Sequence, residues 1–170
     1  MSSFESIPVV NQIDWSVQSA ATDIRDIALL GIDEATLGYA AQGRLSEATE
    51  GTRTLASQGF GKCAALILRG ETETSWALAH AQPFDENLYD QLHDRAEPIR
   101  EALFVFGVAS AHQYDINELL TSRSVPTRSL HVDTGNAHFG VALDVSTKRL
   151  TVVRKTPDQS LMVYEPFKTK

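Results

Sequence analysis

The spacing of apolar residues changes character along the chain. After Asp14, a suitable N-cap, Val17, Ala21, Ile24 and Ala28 recur at helical intervals and predict a helix over 15–30 that Gly31 ends. Met1 to Asp14 is polar, contains Pro8 and holds no sustained period. From 32 to 52 the chain is rich in Ala, Gly and Glu with few large apolar residues, and only short strands near Ala35 to Ala41 are expected. At Thr52 the pattern turns to brief β-like runs separated by glycine. These are Thr52 to Ser57, a bend at Gly59-Phe60-Gly61, Lys62 to Arg69, a turn over Gly70 to Glu73, and Thr74 to Ala81.

Asp85 then caps an amphipathic stretch carrying Leu88, Leu92, Ile99 and Leu103, which predicts a broken helix over 86–102 kinked at Pro98. Phe104 to Ala109 reads as a buried strand, and Asp115 as the cap of a short helix reaching about Arg123, before Pro126. The remainder is strand-like: Arg128 to Val132, a turn at Asp133 to Asn136, and a hairpin of His138 to Val145 with Arg149 to Lys155 around Ser146-Thr147-Lys148. The expected architecture is α+β, a layered β core of mixed and antiparallel sheets with helices packed outside. Three regions are expected: an extension over 1–31 with the amphipathic helix, a main domain over 32–156, and a peripheral tail over 157–170.

Composition narrows the function classes. A length of 170 residues fits one domain, and 42 % hydrophobic with 22 % charged residues is ordinary for a folded protein. Fifteen Lys and Arg against twenty-two Asp and Glu give a net charge of -7 with no basic run, which argues against a nucleic-acid partner. Apolar stretches such as Cys63 to Leu68 and Leu103 to Val108 fall far short of the roughly 20 residues that span a bilayer, so no membrane insertion is expected. Met1 to Asp14 lacks the basic start and apolar core of a secretory signal, and a cytoplasmic location is expected. A single cysteine excludes an internal disulfide and a Cys-rich zinc site.

That cysteine, Cys63, becomes interesting through its neighbours. If Lys62 to Arg69 and Thr74 to Ala81 form a hairpin turning over Gly70 to Glu73, Cys63 faces His80, with Ala65 opposite Leu78 and Ile67 opposite Trp76 on the same side. Directly opposed Cβ atoms lie about 4.5 to 5.5 Å apart, within reach of a thiol–imidazole contact. An imidazole can take the thiol proton, stabilise the thiolate nucleophile and later protonate a leaving amine. Gly59 and Gly61 allow a sharp backbone bend ahead of Cys63, where main-chain N–H groups at Gly59, Gly61 and Lys62 could meet an oxyanion. Ser57 stands at a strand end where its hydroxyl could orient the imidazole. Taken singly, each residue has an ordinary explanation: a buried cysteine is usually a small hydrophobe, and a glycine pair usually a loop.

The run Ser57-Gln58-Gly59-Phe60-Gly61-Lys62-Cys63 resembles the Thr-x-Gly-x-Gly-x-Cys segment of the CheD chemoreceptor glutamine deamidases. His80 to Pro83 is similar to that family's His-x-x-Pro segment, and the interval of 17 residues from Cys63 to His80 also matches. The resemblance covers about Ala35 to Lys155. It implies a cysteine-dependent deamidase fold with Cys63 as nucleophile, His80 as base and Ser57 in place of the family's threonine. It further implies a protein substrate bearing an accessible glutamine, chemotaxis proteins as partners, and no cofactor. Lys62 stands where the family has serine, and Gly135-Asn136 where it has Gly-Gly. Similar cysteine and histidine folds occur in cytotoxic necrotizing and lethal factor toxins, so an exported effector with this chemistry is one alternative. A non-catalytic interaction module in chemotaxis signalling is another.

Other patterns carry less. Asp133-Thr134-Gly135 spells the aspartic-protease triplet, but the second aspartate needed to share a proton has no counterpart, and a plain turn is expected. His131, Asp133 and His138 lack the paired spacing of a metal site and read as solvated loop residues, as do His93 and His112. Trp15 and the stripe from Val17 to Ala28 fit packing on the chain's own core.

Overall fold

The computed structural model describes residues 9–14, 34–82, 86–107, 111–132, 138–154 and 160–167. The glycine-punctuated apolar runs become strands of two sheets. In chain order these are β1 (Val9–Asp14), β2 (Leu37–Tyr39), β3 (Leu45–Glu47), β4 (Thr54–Phe60), β5 (Ala64–Gly70) and β6 (Trp76–Ala81). Helix α1 (Glu86–Asp94), β7 (Ile99–Phe106), helix α2 (Ala111–Ser122) and β8 (Thr127–His131) follow. The chain then completes its sheets with β9 (Phe139–Asp144), β10 (Leu150–Arg154) and β11 (Ser160–Tyr164).

The first sheet has the order β1-β11-β10-β9-β4-β2, and the second β3-β6-β5-β7-β8. Each is antiparallel apart from one parallel pair, β2 with β4 and β7 with β8. Helix α2 supplies the crossover that the parallel pair β7–β8 requires. Between the sheets lies one core, with Leu55, Phe139, Val141 and Leu143 from the first meeting Ile67, Leu78, Leu103 and Val105 from the second. The other face of the second sheet, with Leu66, Leu68 and Phe104, packs against Leu88 and Leu92 of α1 and Ile116 and Leu120 of α2. The expected α+β class therefore holds. Strand β5 is buried at every position because both its faces are covered, which explains its unbroken apolar text. Among the described residues no helix is long and apolar enough to cross a membrane.

Several expectations are corrected. The hairpin of β5 and β6 turns one residue later at its start and end, so Ala65 rather than Cys63 faces His80, and Ile67 faces Leu78. The slip is two residues, and a two-residue slip preserves the face on which every side chain lies. The broken helix over 86–102 ends at Asp94, and Ile99–Phe106 is a strand. Ile99 and Leu103 are four apart, a spacing that suits a strand as well as a helix, and Pro98 blocks helical continuation. Helix α2 starts at Ala111, so Asp115 lies inside it rather than capping it. The C-terminal residues placed in a peripheral tail form β11 between β1 and β10, and Tyr164 and Phe167 are buried in the inter-sheet core. Likewise Val9–Asp14, expected to be without regular structure, pairs with β11. The helix expected over 15–30, the Asp85 cap and the turn at Asp133 to Asn136 lie outside the described residues.

Candidate active site

Two short segments carry the chain from the first sheet to the second: Gly61 to Cys63, between β4 and β5, and Ala40 to Arg44, between β2 and β3. Both pass His80, the penultimate residue of β6. The Ala40–Arg44 strap is tied down along its length. Ala40 N–H donates to Ala56 O at 2.9 Å, Gly43 N–H to His80 O at 2.9 Å, and His80 N–H to Arg44 O at 3.1 Å. Gln42 and His80 form an isolated parallel bridge. The backbone of His80 is thereby clamped on the side away from β5.

The glycine bend has a definite geometry. Along the β4–β9 ladder Ser57 pairs with Val141 and Phe60 with Phe139, so β4 spends three steps where β9 spends two. This is a β-bulge, with Gly59 in the left-handed region at φ +79°. Without the extra residue, Ser57 and Phe60 would point to opposite faces. With it, both turn into the inter-sheet space and meet the same imidazole. Phe60 stacks on His80 with ring centroids 4.1 Å apart and planes at 21°. Ser57 Oγ lies 2.8 Å from His80 Nδ1.

The Ser57 hydroxyl has one hydrogen, and its destination decides the imidazole's tautomer. Ser57 Oγ is 2.6 Å from Ala40 O, and a carbonyl can only accept, so the hydrogen goes there. Toward His80 the hydroxyl must then accept, which places a hydrogen on Nδ1 and leaves the lone pair of the neutral ring on Nε2. Ser57 thus orients the His80 ring, with the strap carbonyl as an unforeseen third member of the hydrogen-bonded chain. Both side chains are buried, Ser57 at 0 % and His80 at 2 % exposure.

Cys63 precedes β5 and joins Ala65, Phe60 and Ile67 in the inter-sheet core. Because Ala65 faces His80, Cys63 stands one diagonal step from it on the same face. Gln42 Nε2 lies 3.9 Å from Cys63 Sγ and donates to it. The sulfur is largely covered, with Cys63 at 7 % exposure, while Gln42 beside it is exposed. Lys62 is exposed, in keeping with its position one residue out of phase with Cys63. Gly61 matters for close approach: a Cβ there would come within 2.6 Å of His138 Cδ2, so this imidazole rests on the backbone beside Cys63. Burial pushes the phenol of neighbouring Tyr39 up, against hydrogen bonding with the Gln58 backbone and the Ser57 hydroxyl that lowers it, so the Ser57 oxygen has the Tyr39 phenol as a further neighbour.

The structure thus gathers Ser57, His80 and the bulge glycine Gly59 as a unit, with Cys63 on the adjoining position. Gln42, the Ala40 carbonyl, Phe60 and His138 were not visible as members. The strap's contacts with Ser57, Cys63 and His80 reach across 17 to 38 positions, and no local spacing announces them. Phe60 did have a signal, a large apolar residue held between two glycines. His131 Nε2 donates to Gly107 O, 3.1 Å away, and among the described residues no three His, Cys, Asp or Glu side chains are grouped to hold a metal. No family model matches the sequence, and none of the curated proteins compared with it does.

Proposed function

We propose that this chain is a cysteine-dependent protein-glutamine deamidase, resembling the CheD enzymes, that hydrolyses a side-chain carboxamide to a carboxylate and ammonia. The observation that carries the reading is the Ser57–His80 hydrogen bond at 2.8 Å, in which Ser57 has already given its hydrogen to Ala40 O. It supports an imidazole set to accept a proton at Nε2, on the face it shares with the chain's one cysteine.

In this reading His80 Nε2 takes the Cys63 proton, and the thiolate attacks the carboxamide carbon to form a tetrahedral oxyanion. The C–N bond breaks as the imidazolium returns its proton to the leaving nitrogen, which departs as ammonia and leaves a thioester. A water deprotonated by His80 attacks the thioester, the C–S bond breaks to release glutamate, and the imidazolium returns its proton to the departing sulfur, regenerating the thiol and the neutral imidazole. Every proton is accounted for by one imidazole, and no metal or organic cofactor is needed. Phe60, stacked on the ring, fixes its plane, and Ser57 fixes its rotation.

The direct test is release of ammonia from a panel of glutamine-bearing proteins, chemoreceptor cytoplasmic segments among them, with a gain of about 1 Da at the modified residue. The reading requires activity in wild type and its loss in Cys63→Ala. A substrate that is deamidated equally by Cys63→Ala would overturn it.

A further inference from the structure

We propose that Gln42 is a catalytic residue, a side-chain oxyanion donor that serves the tetrahedral intermediate formed at Cys63. The inference rests on the cysteine-nucleophile reading above and adds to it a residue outside the Ser57 to Cys63 segment.

Three observations carry it. The Gln42 carboxamide presents its NH₂ end to the sulfur, with Nε2 at 3.9 Å from Cys63 Sγ. When Cys63 attacks a carbonyl, the oxyanion forms on the atom bonded to the new substituent of the sulfur, so a donor already in contact with the sulfur needs only a small rotation to reach it. The same orientation argues against Gln42 as a substrate in cis, because attack requires the carbonyl carbon, not the nitrogen, to face the thiolate. Second, the backbone that carries the donor is held in advance. The strap that carries Gln42 is bonded to His80 on both sides, through Gly43 N–H to His80 O at 2.9 Å and His80 N–H to Arg44 O at 3.1 Å. Third, the strap's Ala40 carbonyl orients Ser57. One five-residue segment therefore sets the base, the orienting hydroxyl and the donor together, which is the preorganisation that makes oxyanion stabilisation effective. Gln42 is also exposed, beside the covered thiol.

Two probes of Cys63 separate this role from others. Acylation by p-nitrophenyl acetate passes through a tetrahedral oxyanion, whereas alkylation by iodoacetamide is a direct displacement at carbon and forms none. Both rates are measured on the full chain for wild type, Gln42→Met, which keeps the side chain's length without a donor, and Gln42→Glu. The proposal expects the acylation rate to fall about 100-fold or more in both variants, with alkylation at matched thiolate fraction changed less than about threefold. His80→Ala, acting through the thiolate, should depress both reactions in parallel. Equal loss of acylation and alkylation in Gln42→Met, or no loss of either, would overturn the role of Gln42 while leaving the nucleophile reading intact. A wild-type Cys63 inert to both reagents in the folded protein would overturn the nucleophile reading and the donor with it.

Discussion

Phe60 lies flat against His80, ring centroids 4.1 Å apart, and reaches it only because Gly59 inserts one extra residue into β4. The stack continues to Phe139, whose ring centroid is 5.1 Å from that of Phe60. The imidazole is therefore the end of an aromatic column rooted in the inter-sheet core. Its orientation is coupled to core packing rather than left to a surface loop.

Truncating the middle of that column should be costly. Phe60 is fully buried, so Phe60→Ala is expected to lower stability by about 3 to 5 kcal/mol. Phe60→Leu retains most of the volume and loses mainly the ring contacts, a cost of about 1 kcal/mol. Urea unfolding curves with unchanged slope would measure both. In Phe60→Leu the folded protein should also show slower Cys63 acylation, because the ring that fixes the His80 plane is gone.

The two glycines of the bend should fail differently. A Cβ on Gly59 meets nothing within 4 Å, but its φ of +79° strains any L side chain. Gly59→Ala is therefore expected to cost about 1 to 2 kcal/mol with no rescue from neighbouring substitutions. At Gly61 the conflict is steric and lies with His138, whose imidazole would sit 2.6 Å from the new Cβ. Gly61→Ala should be mild, and milder still in a His138→Ala background. A double-mutant cycle gives a coupling for Gly61 with His138 and none for Gly59 with His138.

Ser57 separates orientation from chemistry. Ser57→Ala leaves the Ala40 carbonyl and the Nδ1 hydrogen of His80 without their buried partner, at a cost of about 1 to 3 kcal/mol. It also releases the tautomer, and the rate of Cys63 acylation should fall about tenfold or more. Ser57→Thr keeps the hydroxyl and should recover most of the rate. NMR of the imidazole nitrogens checks the mechanism: protonation at Nδ1 in wild type, and a mixture of tautomers in Ser57→Ala.

The closing hairpin carries a pH-dependent contribution. Asp144 Oδ1 accepts from Ser146 N–H at 2.9 Å, Ser146 Oγ at 2.7 Å and Thr147 N–H at 3.0 Å, pinning the turn between β9 and β10. Partial burial acts to raise its pKa, but these donors and the Arg53 charge outweigh it and hold the carboxyl below its ordinary 3.8. A lowered folded pKa means that the carboxylate's contribution is fully present above about pH 4 and disappears as pH falls through the folded value. Asp144→Ala should cost about 1 kcal/mol at pH 7, a figure reduced for solvent exposure. Its deficit against wild type should shrink as the pH drops below 4, in urea titrations at fixed ionic strength.

Legibility in the sequence followed the range of the interactions. β5 and the β9–β10 hairpin could be read because their evidence is local, an apolar run in one case and two β-rich segments around a tight turn in the other. His80 and Cys63 keep the shared face expected from the sequence because strand periodicity preserves faces even when the register is off by two, as it was here, whereas Ser57 reaches the imidazole from the other sheet. The same two-residue period hid β7, since Ile99 and Leu103 satisfy a helix equally well. β1 could not be read because what orders it is pairing with β11 across almost the whole chain, Val9 with Tyr164 and Asp14 with Ser160. The strap fails for a related reason: Ala40 and Gln42 owe their roles to where the backbone passes, not to any pattern in their neighbours.

The central claim is that His80 activates Cys63, and the pH dependence of Cys63 alkylation by iodoacetamide between pH 5 and 10 tests it most directly, in wild type and His80→Ala. The account predicts a thiolate that titrates well below the usual value of about 8.5 in wild type and moves back toward it in the variant. A Cys63 that reacts only after unfolding, or a profile identical in the two proteins, would contradict it.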